Sequence, residues 1–130
     1  MIESTARVLK ALGEPTRLKI VKFLSLQELC VCELEAILDI SQPRVSQHIR
    51  VLKQAGIVEE RKERQRSYYS LKPTVLDGAT VQAFQALLEL NLNKIPELEE
   101  ESRRFFELNS NEMVQACKKG CAATSMKRIS

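Results

Sequence analysis

Residues 41–56, SQPRVSQHIRVLKQAG, constrain the fold of this chain more than any other stretch. Ser41 is a favourable helix N-cap, and Pro43 suits the first turn of the helix that follows. Three apolar side chains then follow at spacings of 4 and 3, which places them on one helical face: Val45, Ile49 and Leu52. The segment therefore predicts a helix that ends near Ala55, with one buried face and one exposed polar face.

The residues before this helix predict further short helices. One is expected over about residues 31–39, with Leu34, Ile37 and Leu38 inward, and the turn DISQP separates it from the helix at 41–56. Two short helices joined by so tight a turn form a helix-turn-helix. Upstream, Ile2, Ala6, Leu9 and Leu12 define the inner face of a helix over residues 2–12. A second helix begins at EPTR, with Leu18, Ile20, Val21 and Leu24 inward.

The residues after residue 56 predict a small hairpin and then helices. Ile57-Val58 and Ser67–Leu71 have the composition of strands, and the polar stretch KERQR would connect them as a two-stranded hairpin. Residues 74–92 are so rich in apolar side chains that we expect one helix that buries a face in a partner. Pro96 would end it, and the acidic start ELEEE would open a last helix that extends to about residue 119.

The fold class that these elements predict is mainly α with a small β-hairpin, a winged helix-turn-helix. We expect residues 1–95 to form a DNA-binding and dimerisation domain. Residues 96–130 would form a C-terminal helix and a mobile, cysteine-containing tail.

The excess of positive over negative charge lies in the middle of the chain. Residues 41–72 carry 8 basic and 3 acidic side chains, a net charge of +5, whereas the residues on either side carry −1 each. Clustered positive charge attracts polyanions, although it can also be an ordinary solvated face. With the helix-turn-helix pattern, it favours double-stranded DNA as a partner.

The polar face of the helix at 41–56 and the tip of the hairpin supply the candidate DNA contacts. Glutamine can pair with adenine and arginine with guanine in the major groove, while basic side chains on a hairpin bind phosphate. The candidates are Gln42, Pro43, Arg44, Ser46, Gln47 and Arg50 on the helix, and Lys62, Arg64 and Arg66 on the hairpin. Any amphipathic surface helix has such a polar face, so the adjoining basic hairpin is what favours DNA. His48, beside the apolar face, is expected to be structural or to bind phosphate rather than a metal.

The chain contains four cysteines: Cys30, Cys32, Cys117 and Cys121. The chain has no apolar run of the ~20 residues that a membrane helix needs, and its start has no hydrophobic signal core. We therefore expect a cytoplasmic location, no membrane partner, and reduced thiols used as ligands or redox groups.

Four segments in order resemble the arsenic-repressor family of winged helix-turn-helix regulators: LGEPTRLKIVKFL, ELCVCEL, SQPRVSQHIRVLKQAGIV and RQRSYYSLKP. The similarity covers about residues 5–73, and within the family it is closest to the arsenic- and antimony-responsive subgroup. It implies a homodimer that binds operator DNA and is released when an inducing ion binds. It also implies dimer contacts through the first helix and the helix after the wing.

The resemblance gives the thiols a purpose. Trivalent arsenic and antimony are thiophilic and prefer three sulfur ligands, so the implied inducer is one of these ions, with no organic cofactor. The family often has a third cysteine three residues after Cys32, where this chain has Glu35. Either Cys117 or Cys121 completes the site of Cys30 and Cys32, even from the other subunit, or the two form a separate or accessory site.

The spacing of Cys30 and Cys32 suggests how an ion would act. Residues i and i+2 of an ideal helix point about 200° apart. We therefore expect the start of the third helix to unwind or bend before both thiols can hold one ion. Such a change would deform the helix-turn-helix, and DNA would in turn oppose the ion.

Other functions are compatible with the same residues. The chain could be a redox-sensing repressor whose thiols form a disulfide, a sensor of another soft metal such as cadmium or lead, or a constitutive winged-helix protein. An enzyme is not expected, because paired carboxylates, a phosphate loop and a Cys–His pair are not recognisable in the sequence.

Overall fold

The computed structural model describes residues 1–120, which form two compact units, Met1–Glu89 and a second unit that begins at Leu90. The first unit is mostly helical with a small antiparallel sheet. Its elements are α1 (Ile2–Leu12), α2 (Pro15–Leu24), β1 (Leu29–Cys30), α3 (Val31–Leu38), α4 (Gln42–Gln54), β2 (Val58–Glu63), β3 (Arg66–Leu71), α5 (Pro73–Leu76) and α6 (Ala79–Glu89).

Local signals in the sequence explain where the first helices begin and end. Gly13 ends α1, and Glu14 caps α2 by accepting a hydrogen bond from the backbone N–H of Arg17 at 3.0 Å. Pro15 is the first residue of α2, where its missing N–H costs no helical hydrogen bond. These boundaries confirm the predicted helices at 2–12 and from Pro15.

The core of the first unit joins the helices to the sheet. Its buried side chains come from α1, α2, α3, α4 and all three strands: Ala11, Ile20, Leu24, Leu29, Leu34, Val45, Ile49, Leu52, Ile57, Val58 and Leu71. The predicted inward faces are confirmed at Ile20, Leu24 and Leu34 and along α4. They are wrong at four positions, because these side chains are exposed: Ala6, Leu9, Leu18 and Ile37.

The predicted hairpin is confirmed, because β2 pairs with β3 in antiparallel register, and β1 adds a third strand that was not predicted, in the order β1–β3–β2. β3 pairs with both neighbours in antiparallel register, with Leu29 and Cys30 opposite Tyr69 and Tyr68. A strand of two residues carries no alternation that a sequence pattern could reveal, and its pairing depends on a contact with β3.

The predicted single helix over residues 74–92 is interrupted. Gly78 has a φ of +77°, a left-handed conformation that glycine adopts at little cost, and it separates α5 from α6. None of the residues of α6 is buried in the described chain, which leaves much of its apolar surface exposed.

The second unit contains short helices. 3₁₀ turns at Leu92–Lys94 and Pro96–Leu98 precede α7 (Glu99–Phe106), and a third at Leu108–Ser110 separates α7 from α8 (Glu112–Gly120). The predicted continuous helix to residue 119 is therefore wrong, because the backbone leaves the helical path after Phe106. None of the helices within residues 1–120 combines the length and apolar character needed to cross a membrane.

Candidate functional site

The helix-turn-helix consists of α3, a tight turn and α4, which pack against each other. Asp39 ends α3 in the left-handed conformation, with a φ of 55°, and its N–H donates to the carbonyl of Glu35 at 2.9 Å. Ser41 occupies the N-cap of α4 as predicted, although its side chain makes no capping hydrogen bond. This turn fixes the direction of α4 relative to α3.

One face of α4 is anchored in the core and the other is exposed. Val45, Ile49 and Leu52 are buried, as predicted. The candidate DNA contacts on this helix lie on the exposed side, apart from one half-buried residue, Ser46: Gln42, Pro43, Arg44, Gln47 and Arg50. The arrangement leaves amide and guanidinium groups available for the edges of base pairs.

His48 joins α4 to the corner between α1 and α2. Its Nδ1 lies 3.3 Å from a guanidinium nitrogen of Arg17 and 3.8 Å from a carboxylate oxygen of Glu14. Arg17 also donates to the carbonyls of Ala11 and Lys10. His48 thus has a structural place, which is the role that the sequence favours over metal binding.

The Glu14 carboxylate is held in its charged form at this corner. Partial burial alone would raise its pKa, but backbone hydrogen bonds from Arg17 and Thr16, with the nearby charges of His48 and Arg17, outweigh burial and lower it. The network stabilises the position of the helix that carries the candidate base contacts.

The hairpin of β2 and β3 forms the wing. Glu63 pairs with Arg66, so Arg64 and Gln65 are the two residues of its turn. Arg64 has a φ of 59°, a conformation that arginine rarely adopts. Because the turn has none of the usual Asn-Gly residues, the sequence does not reveal its two-residue length. Lys62, Arg64 and Arg66 are all exposed.

Another basic side chain of the wing, Arg61, is already paired. It donates to both carboxylate oxygens of Glu28, with distances of 2.8 and 3.1 Å, and to Glu63 at 3.3 Å. These hydrogen bonds raise the pKa of Arg61, and the bond from Arg61 lowers the pKa of Glu28. The sequence does not predict this contact, because it joins residues 33 positions apart.

The first cysteine pair lies where β1 meets α3. Cys30 is buried and is the N-cap of α3, and its backbone N–H donates to Glu33 Oε1 at 2.9 Å. Cys32 is exposed in the first turn of α3. The backbone of Cys30 is extended, with φ −96° and ψ 170°, so the prediction based on two thiols of one ideal helix starts from a wrong geometry.

Of the remaining two cysteines, only Cys117 lies within the described residues. Cys117 is exposed on α8, and Cys121 lies outside the described residues. Within residues 1–120, no group of three or more His, Cys, Asp or Glu side chains is placed to hold a metal ion. Cys30 and Cys32 supply two sulfur donors, which suit a thiophilic ion in kind but fall short of three in number.

An apolar surface extends over α1 and α6 in the first unit. An open groove of about 190 Å³ between them is lined by Val8, Leu9, Ala79 and Ala83, among others. The exposed large apolar side chains beyond it include Val81, Phe84 and Leu88 of α6. Contiguous exposed apolar surface of this kind is typical of a protein interface.

Comparisons with known proteins agree with this geometry. Residues 14–60 match the family model described as bacterial regulatory protein, arsR family. The chain is 49% identical over 67 residues to a cadmium resistance transcriptional regulatory protein CadC homolog of Staphylococcus aureus, covering 51% of this chain and 55% of that one. It is 43% identical over 70 residues to the arsenical resistance operon repressor of Escherichia coli K12, covering 53% and 60%. The chain thus spans little more than half the length of these relatives.

Solved structures show the same fold. A possible transcriptional regulator for arsenical resistance has a TM-score of 0.55 and 36% identity, covering 64% of this chain and 84% of that one. A homodimeric winged helix-turn-helix domain from Mycobacterium bovis has a TM-score of 0.57 and 27% identity, covering 68% and 82%. These similarities confirm the predicted winged helix-turn-helix. The relatives are named as regulators or repressors, in agreement with the prediction that the chain is not an enzyme.

Proposed function

The chain belongs to the arsR family of bacterial regulatory proteins, and from this premise we propose that it is a transcriptional repressor released from operator DNA by a thiophilic ion. The exposed polar face of α4 supports this proposal most directly, because the opposite face of the same helix is anchored in the core. In this proposal, α4 enters the major groove and the wing binds phosphate.

The proposed partner is double-stranded DNA with an approximately two-fold sequence. Selection from random-sequence DNA should yield half-sites about 10 base pairs apart, or a multiple of that spacing. Affinity should fall with salt with a slope of about −0.9 per phosphate contacted. A selected site without two-fold symmetry would contradict binding as a symmetric dimer.

The proposed homodimer forms through α1 and α6. The exposed apolar side chains of α6 and the groove beside α1 support this arrangement, and the similar domain from Mycobacterium bovis is described as homodimeric. Val81→Glu should convert the dimer to a species of the chain mass, 14.8 kDa, in analytical ultracentrifugation, because it places a charge in the interface. Phe106→Glu in the second unit is the matched control, and dissociation by that variant instead would refute the assignment.

The proposed inducer is trivalent arsenic or antimony, bound by the thiolates of Cys30 and Cys32. The pair lies at the start of the helix-turn-helix and has one buried and one exposed thiol. The third sulfur is proposed to come from Cys117 or Cys121, while a separate site formed by these two is the other scheme. X-ray absorption of the arsenite-bound protein, compared with Cys117→Ser and Cys121→Ser, counts the sulfur ligands and distinguishes the schemes.

Cadmium is the second candidate, because the Staphylococcus aureus relative is named for cadmium resistance. Fluorescence anisotropy of the selected operator, titrated with arsenite, antimonite, cadmium or peroxide, separates these inducers from redox sensing. Release by arsenite or antimonite that is lost in Cys30→Ser and Cys32→Ser supports the proposal. Release by peroxide alone would favour a redox sensor, and no release at all would refute regulation through the thiols.

A further inference from the structure

The sheet of the first unit has a second face, turned away from the core. Along β3, Tyr69 and Leu71 belong to the core side, so the alternating residue Tyr68 points the other way. Cys30 stands opposite Tyr68 in the register and is 4% exposed. It is absent from the core cluster that contains its neighbour Leu29. Cys30 is therefore buried on the second face.

Tyr68 is the neighbour of Cys30 on that face. Directly opposed residues of antiparallel strands have their Cβ atoms about 4.5–5.5 Å apart, close enough for side-chain contact. On the other side, Arg61 is opposite Tyr68, and its guanidinium lies 4.9 Å from the centre of the tyrosine ring. Tyr68 thus lies between the buried thiol and the basic side chains of the wing.

Arg66 connects this face to both cysteines. It lies two residues before Tyr68 on β3, on the same face, so it is the diagonal cross-strand neighbour of Cys30, at a separation that a long side chain can span. A hydrogen bond with the Tyr68 side chain raises the pKa of Arg66, and the negative charges of Tyr68, Cys30 and Cys32 in their ionised forms raise it further. On this face, the side chain of Arg66 is therefore within reach of Cys30.

The same side chain is a candidate phosphate contact of the wing. We propose that Arg66, held by Tyr68 beside Cys30 and Cys32, is the residue through which the thiol pair and operator DNA act on each other. This inference rests on the proposed function and gives it a route through the wing, in addition to the helix-turn-helix. Two sites that favour different positions of one residue oppose each other reciprocally.

The unequal burial of the two thiols gives the route its physical basis. Cys32 is exposed and Cys30 is buried beside Tyr68, so both thiols can engage one ion only if their surroundings rearrange. A displacement of Cys30 displaces Tyr68, because the two side chains are cross-strand neighbours. Arg66 then loses the position in which Tyr68 holds it, and the wing loses a phosphate contact.

Arg64 offers a matched control on the same hairpin. It is exposed at the turn and, within residues 1–120, takes part in no hydrogen bond or ion pair. Arg64→Gln and Arg66→Gln therefore remove the same charge from the wing, but only the second removes a neighbour of the thiols. Tyr68→Phe removes the hydroxyl and keeps both charges.

The first experiment measures operator affinity with and without arsenite for the wild type and these variants. The wild type and Arg64→Gln should show the same arsenite-induced loss of affinity, within the range of about 5–150-fold that is common for coupled sites. Arg66→Gln and Tyr68→Phe should lose most of this ratio. Ratios equal to the wild type in both variants would overturn the inference.

The second experiment needs no ion. Alkylation of Cys32 by iodoacetamide is followed by mass spectrometry with and without saturating operator DNA, with Cys117 as an internal reference. Operator should slow the reaction severalfold in the wild type and in Arg64→Gln, and less in Arg66→Gln. Equal slowing in all three proteins would mean that DNA only shields the thiol, which overturns the inference.

The two experiments keep the inference separate from the proposed function. A wild type that arsenite fails to release refutes the proposed inducer, and the ion-free experiment then decides whether Arg66 couples the thiols to DNA. A wild type that is released, together with an Arg66→Gln protein released to the same extent, refutes the role of Arg66 and leaves the inducer in place.

Discussion

The two compact units of this chain use apolar residues in different ways. In the first unit, side chains at helical spacing are buried together, from Ile20 in α2 to Leu52 in α4. In the second, Ile95 is the one buried side chain among residues 90–120, while Phe105, Phe106 and Met113 are exposed. An apolar pattern therefore predicts a core only where several elements converge on it.

Substitution of one buried and one exposed side chain tests this contrast through the free energy of unfolding, and the buried one should give the largest change. Leu34→Ala removes a fully buried side chain of α3 and should lower the free energy of unfolding by about 2–5 kcal/mol, measured by urea denaturation. Phe106→Ala removes a larger side chain that is 73% exposed, and should change the same quantity by less than about 0.5 kcal/mol. A comparable loss in both variants would abolish the distinction between the units.

A smaller effect tests which unit reads DNA. Arg50→Ala should cost about 1–3 kcal/mol of operator affinity and relax sequence preference, if Arg50 contacts a base. Arg103→Ala in α7 removes an arginine that is paired with Glu100, and should leave operator affinity unchanged. An equal loss for Arg50→Ala on all DNA sequences would assign it to phosphate, and a large loss for Arg103→Ala would extend the interface to the second unit.

The smallest effect concerns the surface of the first unit. Hydrogen bonds from Lys53 and Ser67 lower the pKa of Glu60 below its ordinary value of 4.5. A carboxyl group with a lowered pKa in the folded state stabilises the fold above pH 4.5 and loses that contribution as the pH falls through the folded value. The midpoint of thermal unfolding should therefore fall less between pH 7 and pH 3 in Glu60→Gln than in the wild type.

Lys53→Met provides the partner variant for this measurement, because it removes the main cause of the lowered pKa. It should reduce the acid sensitivity in the same direction as Glu60→Gln, and the double variant should add little. Additive effects of the two substitutions would show that the contact between α4 and β2 does not contribute to the pH dependence.

Local signals were sufficient for much of the first unit. The caps at Gly13 and Ser41, the proline at position 15 and the spacing of Val45, Ile49 and Leu52 predicted α1, α2 and α4. These features act within one or two helical turns, so they can be recognised in a single sequence. The exposed location of the candidate DNA contacts on α4 follows from the same spacing.

Long-range pairing was not predictable in this way. β1 exists because Leu29 and Cys30 pair with β3, and Arg61 is neutralised by a carboxylate 33 residues away. The helices α5 and α7 end at Leu76 and Phe106 because the backbone there leaves the helical conformation, which helix propensity alone does not predict. The surroundings of the thiols, which the proposed mechanism requires, belong to this second category.

The capping position of Cys30 has a consequence for how such a regulator changes over generations. Serine is among the preferred residues at a helix N-cap, so an exchange of sulfur for oxygen at residue 30 would preserve the start of α3. On the proposed mechanism, one nucleotide change would then yield a permanently bound repressor with intact folding. Selection for a stable fold would not remove such a variant, although it no longer responds to the ion. Only selection by the toxic ion itself would maintain the thiol at residue 30.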